Sequence, residues 1–388
     1  MDNCVIPHGY KATALGIIPQ EWEVMLLGNL SNSISSGRNK HRDAHGQYPV
    51  FGSTGIIGYS STYEYEGPVI LVARVGANAG TLNFASGQYD VSDNTLIITI
   101  KQNVYDYNFA YNQLTHYKLN KLVFGSGQPL ITSKQLKNIR IPVPPLAEQR
   151  KIAEVLGVWD KAIEKQARLI EKLALRKRGL MQRLLSAKLR LPGFSDPWQK
   201  VKFCELFTKS IKTADPLTKY EVLSVTKEGI VAQKSYFNKD IASEDTSKYI
   251  VVERGDLAMS GLNFWMGSCH ILTNFNEGII SPAYKVFKVT EHNNINFIRD
   301  FVRSSMFLQA LQGCSVIGAS IVRRNLDKEM LYEWTFKIPS LKEQTAIAKV
   351  LTAADREIEL AKEKHERLRH QKRGLMQQLL TGKKRVKY

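Results

Sequence analysis

The sequence predicts an α+β protein: two globular blocks of mixed α/β character at opposite ends of a long antiparallel two-helix coiled coil, with pseudo-two-fold symmetry. Three observations lead there. The stretch LAEQRKIAEVLGVWDKAIEKQARLIEKLALRKRGLMQRLL, Leu146 to Leu185, returns without a gap as LKEQTAIAKVLTAADREIELAKEKHERLRHQKRGLMQQLL, Leu341 to Leu380, with half of its positions identical. In both copies apolar residues recur in steps of three and four, the spacing of a coiled-coil seam. The blocks before each copy share an order of features but little wording, so the chain reads as one mixed unit, duplicated and diverged in its globular half.

The divisions expected are residues 1–144 and 191–339 for the two globular blocks, 145–190 for the first long helix, and 340–388 for the second helix with a basic tail. Each block opens with Pro, then Trp, then alternating apolar positions: IPQEWEVMLLGNL from Ile18 and FSDPWQKVKFCELF from Phe194. In the first block a loop-like SSGRNKHRDAHGQ is followed by a hairpin-like YPVFGSTGIIGY. The apolar run Pro68 to Ala73 then reads as a buried strand, YDVSDNTLIITI as β-rich, and Asn108 to Leu122 as helical. In the second block GDLAMSGLNFWMGSCHIL and GIISPAYKVFKV stand in the corresponding places, and Ile295 to Leu311 is an amphipathic helix candidate.

The seam of the first long helix runs through Ile152, Leu156, Trp159, Ile163, Gln166, Ile170, Leu173, Lys177, Leu180 and Leu184. The second runs through Ile347, Leu351, Ala354, Ile358, Ala361, His365, Leu368, Lys372, Leu375 and Leu379. Each narrow apolar stripe needs a partner, and the other copy is the nearest. The second block is joined by short connectors to the end of one helix and the start of the other, so a mutual pair must be antiparallel. Helices of this length span on the order of 60 Å. Prolines precede both helices, and Ser340 with Glu343 has capping-box spacing. Gly179 and Gly374, on one rung in both copies, cost each helix about 1 kcal/mol against alanine. They imply either a bend or a close approach.

Composition narrows the function. The chain has 388 residues, 43% of them hydrophobic, enough for two cores. No run of apolar residues is long enough to span a membrane and the beginning lacks a secretory pattern, so a cytoplasmic location is expected. Cys4, Cys204, Cys269 and Cys314 form no CxxC pair, which predicts buried free thiols rather than zinc or disulfides. The net charge of +18 is concentrated in the two helical stretches. Arg176, Lys177, Arg178, Arg183, Lys188 and Arg190 crowd the end of one helix; Lys372, Arg373, Lys383, Lys384, Arg385 and Lys387 crowd the other. As a set they read as a track for a polyanion.

Catalytic signatures are missing. There is no GxxxxGK[ST], HExxH, strand-flanked GxGxxG or [ND]PP[YF], GSGQP at Gly125 is an ordinary glycine-rich turn, and His41 and His45 fall on a solvated loop. The residue types present instead suit nucleic acid, because Arg, Lys, Asn, Ser, Thr and Gln on glycine-containing loops donate to phosphates and base edges. Candidates in the first block are Arg38, Lys40, Arg42, Ser53, Thr54, Arg74, Asn78, Asn94, Gln128 and Lys134. In the second they are Ser260, Asn263, Trp265, Ser281, Tyr284, Ser320, Arg323, Arg324 and Asn325. Trp22, Trp198 and Trp334 read as core. The competing readings are a coiled-coil adaptor that binds only proteins and a self-contained DNA-modifying enzyme.

IPVPPLAEQRKIAEVL running into KRGLMQRLL, its echo KIPSLKEQTAIAKVL into KRGLMQQLL, and the openings around Trp22 and Trp198 resemble the specificity subunit of Type I restriction-modification enzymes. YPVFGSTGIIGY, RVGANAG and SDNTLII resemble its target-recognition segments. The resemblance implies a subunit without catalytic residues. Each block would read one half of a split, asymmetric double-stranded DNA target, and the helices would act as spacer. It further implies modification subunits, two in number, docked on the helices, where they compete with the polyanion-track reading. Restriction subunits would join in the full complex, with S-adenosylmethionine, ATP and magnesium held by partners rather than by this chain.

Overall fold

The computed structural model describes residues 6–40, 42–124, 129–215, 218–236, 246–317 and 324–388. The chain forms two compact units, Met1–Ala167 with Glu363–Tyr388, and Arg168–Lys362. Each unit therefore takes in one globular block together with part of both long helices. Those helices run unbroken over Leu146–Leu184 and Leu341–Leu379.

In the first unit the central sheet is antiparallel, ordered Ser31–Ser36, Thr95–Ile100, Val69–Ala73, Leu82–Ala85. The run VILVA is apolar at every position because both of its faces are covered. Ile70 and Val72 join the main core around Trp22, Leu27, Phe109 and Leu136, while Val69 and Leu71 pack with Tyr89 and Val91. A second sheet contains the hairpin Tyr48–Gly52 and Gly55–Ser60 and the strand Gln88–Val91. Helix Tyr107–Tyr117 is capped by Asp106 and stops at Lys118, whose backbone is left-handed.

The second unit repeats the sheet order with Phe207–Lys209, Lys285–Val289, Leu257–Met259 and Cys269–Ile271. Alternation again sorts side chains between two cores: Leu257 and Met259 face the Phe203, Phe301 and Phe307 cluster, and Ala258 faces Leu223 and Val252. The single helix expected over Ile295 to Leu311 is instead two, Ile295–Phe301 and Ser305–Gly313. Ser304 stops the first by capping the second, its hydroxyl accepting from the Phe307 N–H.

Both units contain a stretch of antiparallel helix pairing. In the first, Arg385 bonds Glu148 and Lys372 reaches Asp160 at 2.6 Å, so one partner's number falls as the other's rises. In the second, Arg176 pairs with Glu357, Lys177 with Asp355 at 2.5 Å, and Arg190 with Glu343, in the same descending order. The apolar stripes are shared with the globular cores. Ile152, Leu156 and Leu379 belong to the first unit's main core, and Leu184, Ile347 and Leu351 to the second's, with Leu180 packed against it. There the stripe widens by one position, to Ala153, Met376 and Leu380 in one unit and Leu185 and Ala348 in the other. Away from the globular cores the stripe is narrower: Leu173 is buried, while Trp159, Ile163, Ile170, Ile358 and Leu368 are half-buried; Leu375, also half-buried, packs against the first unit's main core.

At the start of each long helix lies the same buried polar node. Glu148 is fully buried and accepts bonds from Arg385 at 2.6 and 2.9 Å and from the Trp22 indole N–H at 3.0 Å. Glu343 accepts from Arg190 at 2.7 and 2.9 Å and from the Trp198 indole at 3.1 Å. The following glutamine completes it. Gln149 donates to Val104 and Pro144 carbonyls and accepts from the Asp106 N–H; Gln344 donates to Asn293 and Pro339 and accepts from the Asn294 N–H. An acid in the first turn also faces the positive end of the helix dipole. The arginines are placed by matching helix ends. Leu189 N–H bonds the Arg183 carbonyl and Lys384 N–H the Gln378 carbonyl, with Ala187 and Gly382 left-handed in between. A side chain at Gly382 would strike Pro19 at 2.3 Å, which requires glycine there.

Several expectations change. The node consumes Arg190 and Arg385, and Arg176, Lys177 and Lys372 are paired with acids, so these five do not form a polyanion track. Ser340 does accept from the Glu343 N–H, but the Glu343 carboxylate goes to Arg190 and Trp198 instead of closing the capping box. A side chain built at Gly179 or Gly374 meets nothing within 4 Å, so close packing does not explain either glycine. Cys269 and Cys314 are buried, and burial pushes their thiols up to about 12 and about 11, but Cys204 is exposed. Cys4 lies outside the described residues. Trp22 is fully buried, and Trp198 and Trp334 are half-buried.

Removing one member of a buried charge pair leaves the other uncompensated, which costs about 3 kcal/mol. Glu343→Ala should therefore lower the second unit's unfolding free energy by about that much in urea titrations, whereas Lys349→Ala, on an exposed helix face of the same unit, should change it by less than about 0.5 kcal/mol.

Candidate nucleic-acid interface

Antiparallel order brings many of the sequence candidates to one end of each central sheet. In the first unit Ser31–Ser36 runs out into Arg38, Val69–Ala73 runs out into Arg74, and Thr95–Ile100 between them begins just after Asn94. The Arg74 N–H bonds the Asn94 carbonyl at 2.9 Å, and Arg38 N–H bonds the Val91 carbonyl at 3.0 Å. Asn78 sits in the adjoining turn, its carbonyl accepting from Thr81 N–H, and is exposed. The turn holding Ser53 and Thr54 is docked beside them through Ser92 N–H to the Phe51 carbonyl at 2.9 Å. Lys134 is exposed on helix Ser133–Lys137, three residues beyond Ile131, whose N–H bonds the Arg74 carbonyl. Lys40 and Arg42 are exposed as well, and Arg42 lies along Gly58. Arg38 is 82% exposed, with Glu64 only at 4.0 Å, so its guanidinium is open to solvent. Gln128 and His41 lie outside the described residues.

In the second unit the equivalent end carries Ser260, Asn263, Ser281 and Tyr284. Their two turns touch, since a side chain at Gly261 would meet the Ala283 carbonyl at 1.9 Å. Only glycine permits that approach. Ser260 is buried, and its hydroxyl accepts from Asn263 N–H at 3.1 Å, which makes it a turn-former rather than a free donor. Asn263 is exposed. Trp265 does not present a bare stacking face, because the Arg324 guanidinium lies 4.4 Å from its ring. Among the described residues the Trp265 indole nitrogen and the Arg324 Nε are buried without a hydrogen-bond partner. Asn325 is exposed on strand Arg324–Leu326; Ser320 and Arg323 lie outside the described residues.

One group was not legible in the sequence. Lys209, Lys285 and Lys328, far apart in the chain, converge in the second unit. Burial, then Lys328 and Lys209, hold the Lys285 ammonium below the ordinary lysine value. None of the three has a carboxylate partner among the described residues, so the cluster favours an anion. Strand pairing brings Lys285 opposite Met259, next to Ser260, at the same sheet end. In chemical terms these ends offer cations, amides and close backbone, the means of contacting phosphates and base edges. Among the described residues no group of His, Cys, Asp and Glu could hold a metal ion.

Comparison with known proteins agrees. The chain matches the family described as Type I restriction modification DNA specificity domain twice, over residues 19–174 and 195–370. It belongs to that family. The MjaVIII specificity subunit of a Type I restriction enzyme from Methanocaldococcus jannaschii is 25% identical, with 95% of this chain and 94% of the relative covered. The fold of this chain is similar to the specificity subunit of a Type I restriction-modification system from M. genitalium, with a TM-score of 0.55 at 16% identity over 92% of this chain and 96% of the other. A chain from a study of assembly and conformational transition in the Type I system scores 0.55 at 16% identity, covering 94% and 99%. No helix among the described residues is long and apolar enough to cross a membrane.

Replacing Lys285 by Gln should weaken binding to any duplex and reduce the slope of log affinity against log salt by about 1. It also changes the pH dependence of folding. With its pKa lower in the folded chain than in the unfolded, Lys285 penalises folding at neutral pH, and the penalty fades as pH rises through the folded value towards the unfolded one. Thermal melts should show Lys285→Gln more stable than the parent at pH 7, with the gap closing in alkali.

Proposed function

We propose that the chain is the DNA-reading subunit of a Type I restriction-modification complex and is not catalytic by itself. Each unit reads one half of an asymmetric bipartite target. The observation that carries this reading is the pairing of sameness with difference. The units share a sheet order and a Glu–Trp–Arg node, yet the residues at corresponding sheet ends are unlike: Arg74 and Asn94 in one, Ser260 and Tyr284 in the other. A repeated scaffold with unlike reading ends suits two unlike half-sites.

The long helices set the spacing between half-sites and dock two modification subunits, with restriction subunits joining the full complex. S-adenosylmethionine, ATP and magnesium then serve those partners. This division of labour is supported by the absence from the sequence of the nucleotide and methyltransfer signatures that such chemistry uses.

Exchanging residues 192–339 for the corresponding block of a relative should change one half of the selected sequence and leave the other intact. A change in both halves would contradict independent readers. Adding or removing whole turns from both helices should alter the gap between half-sites while leaving each half-site's sequence unchanged, as read by sequencing the retained fraction of a random DNA pool.

A further inference from the structure

The first unit contains a groove that the repeat does not account for. It has a volume of about 920 Å³ and lies between the hairpin Tyr10–Thr13 and Gly16–Pro19, helix Tyr107–Tyr117, strand Arg140–Val143 and the residues following the second long helix. Leu15, Ile17, Leu114, Ile141 and Leu380 give it an apolar lining, and Leu15 is 41% exposed. Arg140 and Lys383 also line it. No Asp or Glu does among the described residues, and neither cation has a carboxylate partner there. His116, on the same wall, is held below its ordinary value by burial first and then by the nearby cations Lys118 and Lys121.

In the second unit the corresponding place, bounded by Ser186, Met306, Trp334 and Phe336, is a recess of about 240 Å³. Two differences explain the contrast. Trp334 lines the recess, its large ring packed over Gly313, 2.9 Å from where a side chain there would begin. The residues before Trp198 form no strand, so nothing there matches the hairpin wall. In the first unit the hairpin is secured to the tail, with Tyr10 donating to the Gly382 carbonyl at 3.1 Å. A lone two-stranded hairpin is marginal without such anchoring.

We propose that this groove is a docking site for an acidic, apolar peptide segment of a modification subunit, taken up once per chain. The inference rests on the specificity-subunit reading. The apolar lining would be filled by leucine-like or aromatic side chains, and carboxylates on the segment would meet Arg140 and Lys383. DNA is a poorer occupant, since phosphates gain nothing from an apolar floor. A second copy of this chain, with its net charge of +18, is electrostatically opposed.

The test uses the full chain with p-benzoylphenylalanine in place of Tyr117, assembled with its modification subunits, irradiated and mapped by mass spectrometry. Expected is a crosslink to one segment of a modification subunit in which Asp or Glu flank apolar residues. Arg140→Glu with Lys383→Glu, both at exposed positions, should weaken the subunit's affinity at least tenfold and leave the half-site sequences selected from a DNA pool unchanged. Co-eluting complexes that give no such crosslink, or crosslink to a basic segment, to DNA or to a second copy, would overturn the groove's assignment alone. Failure of the unsubstituted chain to co-elute with modification subunits would overturn the specificity-subunit reading and this occupant with it.

Discussion

The buried carboxylate at the start of each long helix is the constraint on which each unit depends. It gathers three distant pieces of chain: the Trp that opens a globular block, the first turn of one helix, and the arginine that follows the other. In the first unit the Arg385 guanidinium stays protonated, held up chiefly by its bonds to Glu148. A charge this deeply buried is tolerated only when its lone pairs are matched, and the indole N–H and the guanidinium fork match them. Because the arginine lies just past the end of the opposite helix, satisfying the carboxylate also fixes the antiparallel register of that helix within the unit. The glutamine beside it ties the same turn to the loops preceding the globular block's helices.

This arrangement explains how the ends of the central sheets can diverge. The node, the helix ends and the strand pair beside each Trp, Glu23–Leu26 with Arg140–Val143 and Gln199–Lys202 with Thr335–Ile338, recur in both units. The loops at the far ends of the central sheets contribute little to them. Substitution there leaves the frame intact, so one fold can present Arg74 and Asn94 in one unit and Ser260, Tyr284 and a lysine cluster in the other.

Much of this frame was legible from residues alone. The forty-residue repeat announced both helices, the VILVA run announced a strand covered on both faces, and the Pro–Trp openings marked the start of each block. The helix register was less accessible, because seam spacing shows which side is apolar but not which buried charge it must meet. The recurrence of Glu148 with Arg190 as Glu343 with Arg385 held that signal. The node crosses between copies, so the pairing is visible only in three dimensions. Lys209, Lys285 and Lys328 left no trace in the sequence, since the first two lie on paired strands and the third at the start of helix Lys328–Glu333. The cover of Trp265 by Arg324 likewise depends on a one-turn helix, Phe264–Met266, meeting a distant strand, Arg324–Leu326.

The central claim is that two similar units act as two separate readers of one DNA target. The most direct measurement is selection of a random duplex pool by the unsubstituted chain assembled with its modification subunits, followed by sequencing of the bound fraction. The account predicts two short, dissimilar motifs separated by a gap of constant length and free sequence. A single continuous motif, or a bound pool no different from the input, would contradict it.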